Sequence, residues 1–243
     1  MSNSKILKCT YIIDNGKLSQ KDVELPGETN EIGKEMFSND YALYSIVIPE
    51  GITKIGYAAF YNCTKLQNVV FPTELKEIEA EAFCKCAELT NINIPEGIKI
   101  IGYNAFGFCK SLEKMTFYAS IEKLGDYVCQ YCIGLKEVSI ETSIIPQGMF
   151  QFCMNLSNII MTNKVRAIRR SAFFRCAKLL ELSIPINVMK IESYAFGYCL
   201  NLEKVTNINN KCSIDCNAFE SCDKLENSSI IRSELQSLRY MYD

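Results

Sequence analysis

The chain has 243 residues, 48% of them hydrophobic, with 26 Lys and Arg against 28 Asp and Glu and no His. A net charge of −2 argues against a general electrostatic binder of nucleic acid or membranes. The missing His removes the Ser-His-Asp and Cys-His nucleophilic arrangements, the commonest metal ligand and the usual proton shuttle. An enzyme is therefore not expected, and neither is a cofactor.

The first segment, Lys5 to Leu25, is two alternating runs around Asp14-Asn15-Gly16, a strong short-range hairpin signal. Residues 1–30 are read as a capping hairpin over the open end of the repeats that begin at Glu31, since a repeat stack otherwise exposes core and an unpaired edge.

From Glu31 one pattern recurs: I-x-x-I-G-x-x-A-F-x-x-C-x-x-L-x-x-V-x-I-P, as in Ile98 to Phe117. Its anchor Phe stands at 37, 60, 83, 106, 150, 173, 196 and 219, with Cys129 substituting once. The step is 23 residues except for one of 21, and Leu follows every anchor six residues later, from Leu43 to Leu225. A fixed period of this size marks a solenoid. Within a repeat, Leu66, Val69 and Phe71 alternate with outward Asn68 and Val70, the period of a strand. Pro49, Pro72, Pro95 and Pro185 punctuate strand ends. Ala105, Cys109 and Leu112, with Phe106 beside them, lie at helical spacing, which predicts a short helical segment in each coil. The expected architecture is an α/β solenoid of nine 23-residue coils over 31–231, with a parallel sheet on the concave face and helical segments opposite.

The pattern resembles that of the BspA-like leucine-rich repeat family. The match runs from Glu31 to Ile231 and is best at Ile52–Pro72 and Ile98–Phe117. Repeat five departs from it with Val128-Cys129, and the last strand is degraded at Ser228. The resemblance implies a binding scaffold with no catalytic residues to transfer. Members are typically found on bacterial surfaces and in expanded sets in parasitic protists, often linked to adhesion.

Between Ile140 and Ile145 two residues are missing from the usual turn, and Pro146 sits where Gly is common. The solenoid is expected to continue past a tighter corner, with Met149, Met154 and Met161 filling irregular gaps. At the far end, Ser233-Glu-Leu-Gln236 fits a capping box, and 232–243 reads as a capping helix.

Eight of the thirteen cysteines share one repeat position: Cys63, Cys86, Cys109, Cys132, Cys153, Cys176, Cys199 and Cys222. They are expected in the core as small hydrophobes, reduced and without metal. Cys129-x-x-Cys132 resembles a metal half-site, but its matching pair is missing. Many free thiols and no recognisable secretory signal point to a reducing, cytoplasmic compartment, or to the surface if an export signal has been removed.

Three surfaces are candidates for binding. The concave face presents Asn68, Asn91, Asn93, Lys114, Thr116, Glu137, Ser139, Asn158, Ile160, Glu181, Ser183 and Lys204, polar and without aromatics, which suits a broad protein contact. The alternative edge, one residue before the Cys ladder, carries Phe108, Tyr131, Phe152 and Tyr198, interrupted by Arg175. The third is a basic run of Lys164, Arg166, Arg169, Arg170, Arg175 and Lys178. The expected partner is a protein, and neither nucleic acid nor membrane insertion is expected. Self-assembly with a second copy through the aromatic edge is the rival reading.

Overall fold

The computed structural model describes residues 5–13, 16–25 and 28–225. Strands β1 (Ile6–Ile13) and β2 (Lys17–Glu24) pair antiparallel throughout, Ile6 opposite Glu24 and Ile13 opposite Lys17. Gly16 in the connection has φ +77°, a conformation that only Gly adopts without steric cost.

The repeats then form coils, each with a two-residue strand and a second strand of two to five residues. These pairs are β3 (Glu31–Ile32) and β4 (Leu43–Val47), β5 (Lys54–Ile55) and β6 (Asn68–Val70), β7 (Glu77–Ile78) and β8 (Asn91–Ile92), and β9 (Ile100–Ile101) and β10 (Lys114–Phe117). They continue as β11 (Lys123–Leu124) and β12 (Glu137–Ile140), β13 (Ile144–Ile145) and β14 (Asn158–Met161), β15 (Ala167–Ile168) and β16 (Glu181–Ser183), and β17 (Lys190–Ile191) and β18 (Lys204–Thr206). Eight coils are thus complete among the described residues, and β19 (Ser213–Ile214) follows them. The expectation of nine coils is corrected to about eight turns.

Coils stack in parallel and in register, so each column of the repeat becomes a row of identical environments. Asn68 pairs with Asn91 and Glu137 with Asn158 on one ladder, and Lys54 with Glu77 and Ile78 with Ile101 on the other. The hairpin joins the first ladder, where β1 pairs antiparallel with β4, Lys8 opposite Val47. Leu7, Cys9 and Leu25 are buried in the same core as the coils, so the hairpin covers the edge that β4 would expose.

The expected helical segments are absent among the described residues, although their inward stripe is right: Ala105, Phe106, Cys109 and Leu112 are fully buried. In their place runs a ladder of turns. In the third coil the N–H groups of Glu81, Phe83 and Lys85 donate to the carbonyls of Tyr103, Ala105 and Gly107 one coil on, at 2.9, 2.8 and 2.8 Å. The intervening Ala82, Cys84 and Cys86 close turns three residues back within their own coil. This alternation requires left-handed backbone, found at Lys85, Phe108, Tyr131, Phe152, Arg175 and Tyr198 and again four residues earlier at Glu81, Asn104, Tyr127, Ser171 and Tyr194.

The reason is spacing. The anchor rings stack from Phe37 to Phe106 and from Phe150 to Phe219 with centroids 5.0 to 5.5 Å apart, which sets the distance between coils. Packed helices need about 8–10 Å between axes. A left-handed non-Gly residue costs about 1–2 kcal/mol, and each inter-coil hydrogen bond returns about 1 kcal/mol beside the packing it permits. Close approach is also why Gly102 recurs at its position: a Cβ there would lie 2.3 Å from the Ala80 nitrogen.

The ring stack is interrupted at Cys129. There Phe117, fully buried, meets Phe150 edge-on at 5.8 Å and so reaches across the coil that lacks an anchor ring. The missing two residues interrupt the other ladder, which pairs β3 through β11 and then β13 through β19, while β10, β12 and β14 continue unbroken. The break leaves a cleft of about 230 Å³ lined by Ile121, Leu124, Thr142, Ile144, Pro146 and Arg169 among others. Of the three methionines expected to fill this region, Met149 is buried, Met161 is partly buried, and Met154 is exposed. The capping helix expected over 232–243 lies outside the described residues.

Candidate functional site

The expected face residues fall where the repeat puts them. Lys114, Glu137 and Asn158 are neighbours across β10, β12 and β14, and Thr116, Ser139 and Ile160 form the parallel row two residues on. Glu181 lies opposite Lys204 and Ser183 opposite Thr206. Asn68, Asn93, Lys114, Asn158, Ile160, Glu181, Ser183 and Lys204 are exposed, whereas Thr116, Glu137 and Ser139 are half-buried. Asn91 sits in the same row by its pairing with Asn68. Glu137 is held from both sides, by Lys114 Nζ at 3.6 Å and by Asn158 Nδ2, which donates at 3.2 Å. Asn207 Nδ2 donates to Ser183 Oγ at 2.9 Å. Exposed pairs of this kind contribute little stability, and they fix side-chain orientation along the row.

The aromatic edge is a stack of its own. Phe108 and Tyr131 lie 4.8 Å apart and nearly parallel, and Tyr131 and Phe152 lie 4.4 Å apart. Phe174, from the neighbouring column, joins Phe152 to Tyr198 at 5.6 and 5.2 Å. Arg175 does not interrupt this stack. Its guanidinium sits 5.6, 5.8 and 5.2 Å from the rings of Phe152, Phe174 and Tyr198. Ring faces are spent on one another and on Arg175, so all four edge rings are half-buried.

The basic run is not one acid-free patch. Neighbouring coils bring Glu141 to within 3.9 Å of Lys164 and Glu192 to within 2.6 Å of Arg169, and Arg166 donates to the carbonyl of Asn163. Sequence adjacency misses these acids because they lie about one repeat away. Arg169 and the main-chain N–H of Arg170 hold the Glu192 carboxyl below its usual range, against the opposing effect of burial.

Among the described residues no group of His, Cys, Asp or Glu is arranged to hold a metal ion. Cys63 through Cys199 of the ladder are buried free thiols, and Cys222 is half-buried in the last coil. Each ladder thiol also makes a bond that its role as a small hydrophobe does not suggest. Cys86 Sγ donates to the Phe60 carbonyl at 3.1 Å, Cys109 to Phe83 at 3.2 Å and Cys132 to Phe106 at 3.1 Å, and the series runs to Cys222 on Phe196 at 3.1 Å. Burial pushes the Cys86, Cys109, Cys153 and Cys176 thiols up, as it does Cys84, raised to about 12. None of these five is poised as a nucleophile, which needs the thiolate, whereas the bond from Cys199 lowers the pKa of Cys222.

Residues 30–145 and 143–241 match the model of the BspA type leucine rich repeat region, in six copies. The chain belongs to the BspA-type leucine-rich repeat family. Among solved structures, this leucine-rich repeat chain is similar to a leucine-rich repeat protein from Eubacterium ventriosum, with 20% identity, a TM-score of 0.57, and coverage of 72% of this chain and 63% of that one. A Treponema (T. pallidum) leucine rich repeat protein is 24% identical over 86% of this chain and 76% of its own, with a TM-score of 0.45. A leucine rich cell surface protein from Faecalibacterium prausnitzii is 20% identical over 91% and 88%, with a TM-score of 0.39. No protein of curated description matches the chain. Among the described residues no helix is long and apolar enough to cross a membrane.

Proposed function

We propose that this repeat protein is a non-enzymatic scaffold for protein–protein recognition, and that the outward face shared by the sheets β4-β6-β8, β10-β12-β14 and β16-β18 receives the partner. The observation that carries this reading is the register of that face. Lys114, Glu137 and Asn158, with Thr116, Ser139 and Ile160 beside them, stand in fixed rows over a fully buried core. Side chains held in place before binding lower the ordering cost of association. Mixed donors, acceptors and opposite charges suit a varied polar protein surface and set its orientation. Adhesion or host interaction is the narrower form of this reading, in keeping with the name of the cell-surface neighbour. On this reading residues 1–30 serve as a cap and 31–231 as the solenoid.

The test starts with affinity capture from the source cells to name the partner, followed by calorimetric titration of two folded variants. One carries Lys114→Glu, Glu137→Lys, Ser139→Tyr and Ser183→Tyr; the other carries Phe108→Ser, Tyr131→Ser and Phe152→Ser. Loss of binding in the first alone supports the face. Loss in the second alone places the partner on the aromatic edge and overturns the assignment.

A further inference from the structure

On either side of each ladder cysteine the chain faces solvent. The preceding residues form the aromatic column, and the following ones form a second column that periodicity did not single out: Ile133, Met154, Ala177 and Leu200 on four successive coils. Ile133 is 38% exposed, Met154 43% and Leu200 48%. In the second to fourth coils the same column is polar or small, with Thr64, Ala87 and Lys110, while the first coil carries the exposed Tyr41 there. The continuous apolar strip is therefore confined to one half of the solenoid.

Its charge is one-sided. Segments 130–134, 151–155, 174–178 and 197–201 contain no Asp or Glu, and they contribute Arg175 and Lys178. Among the described residues neither cation has a carboxylate partner; Arg175 lies only over rings. Asp223 closes the column after Leu200. The backbone beneath is braced from coil to coil: Asn155 Nδ2 donates to the Ile133 carbonyl at 2.8 Å and Asn201 Nδ2 to the Ala177 carbonyl at 2.7 Å.

We propose that this strip is a second docking surface, separate from the sheet face, for an acidic amphipathic helix of a partner protein. The spacing selects a helix. The anchor rings beneath these coils repeat every 5.1 to 5.2 Å from Phe150 to Phe196, and a helix laid along the stack presents one side chain per turn every ~5.4 Å. An extended strand repeats on one face only every ~6.6–6.8 Å and loses register by the third coil. Helix anchors one turn apart thus meet Ile133, Met154 and Leu200 in turn, with the smaller Ala177 leaving room between the last two. The thioether of Met154 adapts to the side chain it receives. Carboxylates on the flank of such a helix reach Arg175 and Lys178, which have no carboxylate partner among the described residues.

The experiment uses the full chain and a fluorescent, end-blocked peptide of about four helical turns, with Leu and Phe along one face and Glu elsewhere. Controls replace Glu by Lys, replace Leu and Phe by Ser, or insert a central Pro. Anisotropy titration should show saturable binding of the acidic peptide, at least tenfold weaker for every control. Arg175→Glu with Lys178→Glu, and separately Met154→Ser with Leu200→Ser, should each weaken binding at least tenfold. The former pair should restore binding of the Lys peptide while circular dichroism stays unchanged. Equal binding of the acidic and basic peptides, or indifference to both variant pairs, overturns the proposal. So does a dimer by light scattering that Met154→Ser with Leu200→Ser abolishes, since the occupant is then a second copy. Binding of anionic phosphatidylserine vesicles but not of the peptide also overturns it.

Discussion

The thiol of Cys109 donates a hydrogen bond to the main-chain carbonyl of Phe83, 3.2 Å away in the preceding coil, inside a fully buried core. That carbonyl also accepts the N–H of Cys86 at 3.2 Å. A polar atom placed at 109 therefore has an acceptor waiting. Cys109→Ser is expected to cost about 1 kcal/mol, the low end for a buried hydroxyl because it is satisfied. Cys109→Ala abandons the bond and leaves a void the size of a sulfur, and should cost about 2 kcal/mol. Urea titrations of the two variants decide it. The reverse ranking would mean that the sulfur acts only by filling space.

Burial raises the pKa of Cys86, Cys109 and Cys153 above the unfolded value, so the folded state holds protons that the unfolded state releases. Their stabilising contribution is complete below about pH 8.5 and declines as pH rises beyond it. Each thiol should lower the unfolding free energy by about 1.4 kcal/mol per pH unit above that point. Tyr and Lys titrate in the same range, so the informative quantity is a difference. The pH slope of Cys109→Ala, measured by denaturant titration from pH 8 to 11, should be shallower than that of the natural chain by one proton. Parallel slopes would contradict the buried thiol.

Cys129 and Phe117 are coupled through the gap in the ring stack. Cys129→Phe alone restores the repeat pattern and overfills the core, because Phe117 already reaches Phe150; a cost of about 1–3 kcal/mol is expected. Phe117→Val alone should cost a similar amount by leaving a cavity. The double variant should recover most of both losses. A double-mutant cycle giving strictly additive losses would show that the two sites do not share this space.

Ser171 has φ +55°, while its counterpart one coil earlier is Gly148 at φ +59°. Ser171→Gly removes a strained Cβ worth about 1–2 kcal/mol and adds roughly 0.5–1 kcal/mol of chain entropy to the unfolded state. A net gain of about 0.5–1 kcal/mol in a thermal or urea melt is the expected result. A net loss would place the strain elsewhere in the turn.

The sequence by itself determined the stack. Leu six residues after every anchor, and the alternation around Val69, identify core positions because a solenoid gives each column one environment, and Leu66, Phe106 and Cys109 are indeed fully buried. The hairpin was legible for the same local reason, since Asp14-Asn15-Gly16 between alternating runs needs no distant partner. The candidate rows on the face followed from the same period, as Glu137 beside Lys114 shows. What the sequence could not decide was set between coils. Ala105, Cys109 and Leu112 have helical spacing, yet neighbours 5.0 to 5.5 Å away leave no room for a helix and draw alternate N–H groups outward, so the segment becomes turns. Arg169 reads as an uncompensated charge until the next coil brings Glu192 to 2.6 Å. Arg175 reads as a break in the aromatic edge until Phe152 and Tyr198 close around it. In each case the deciding group lies one repeat or so away in the chain and in contact in space, and only the stacked fold joins the two.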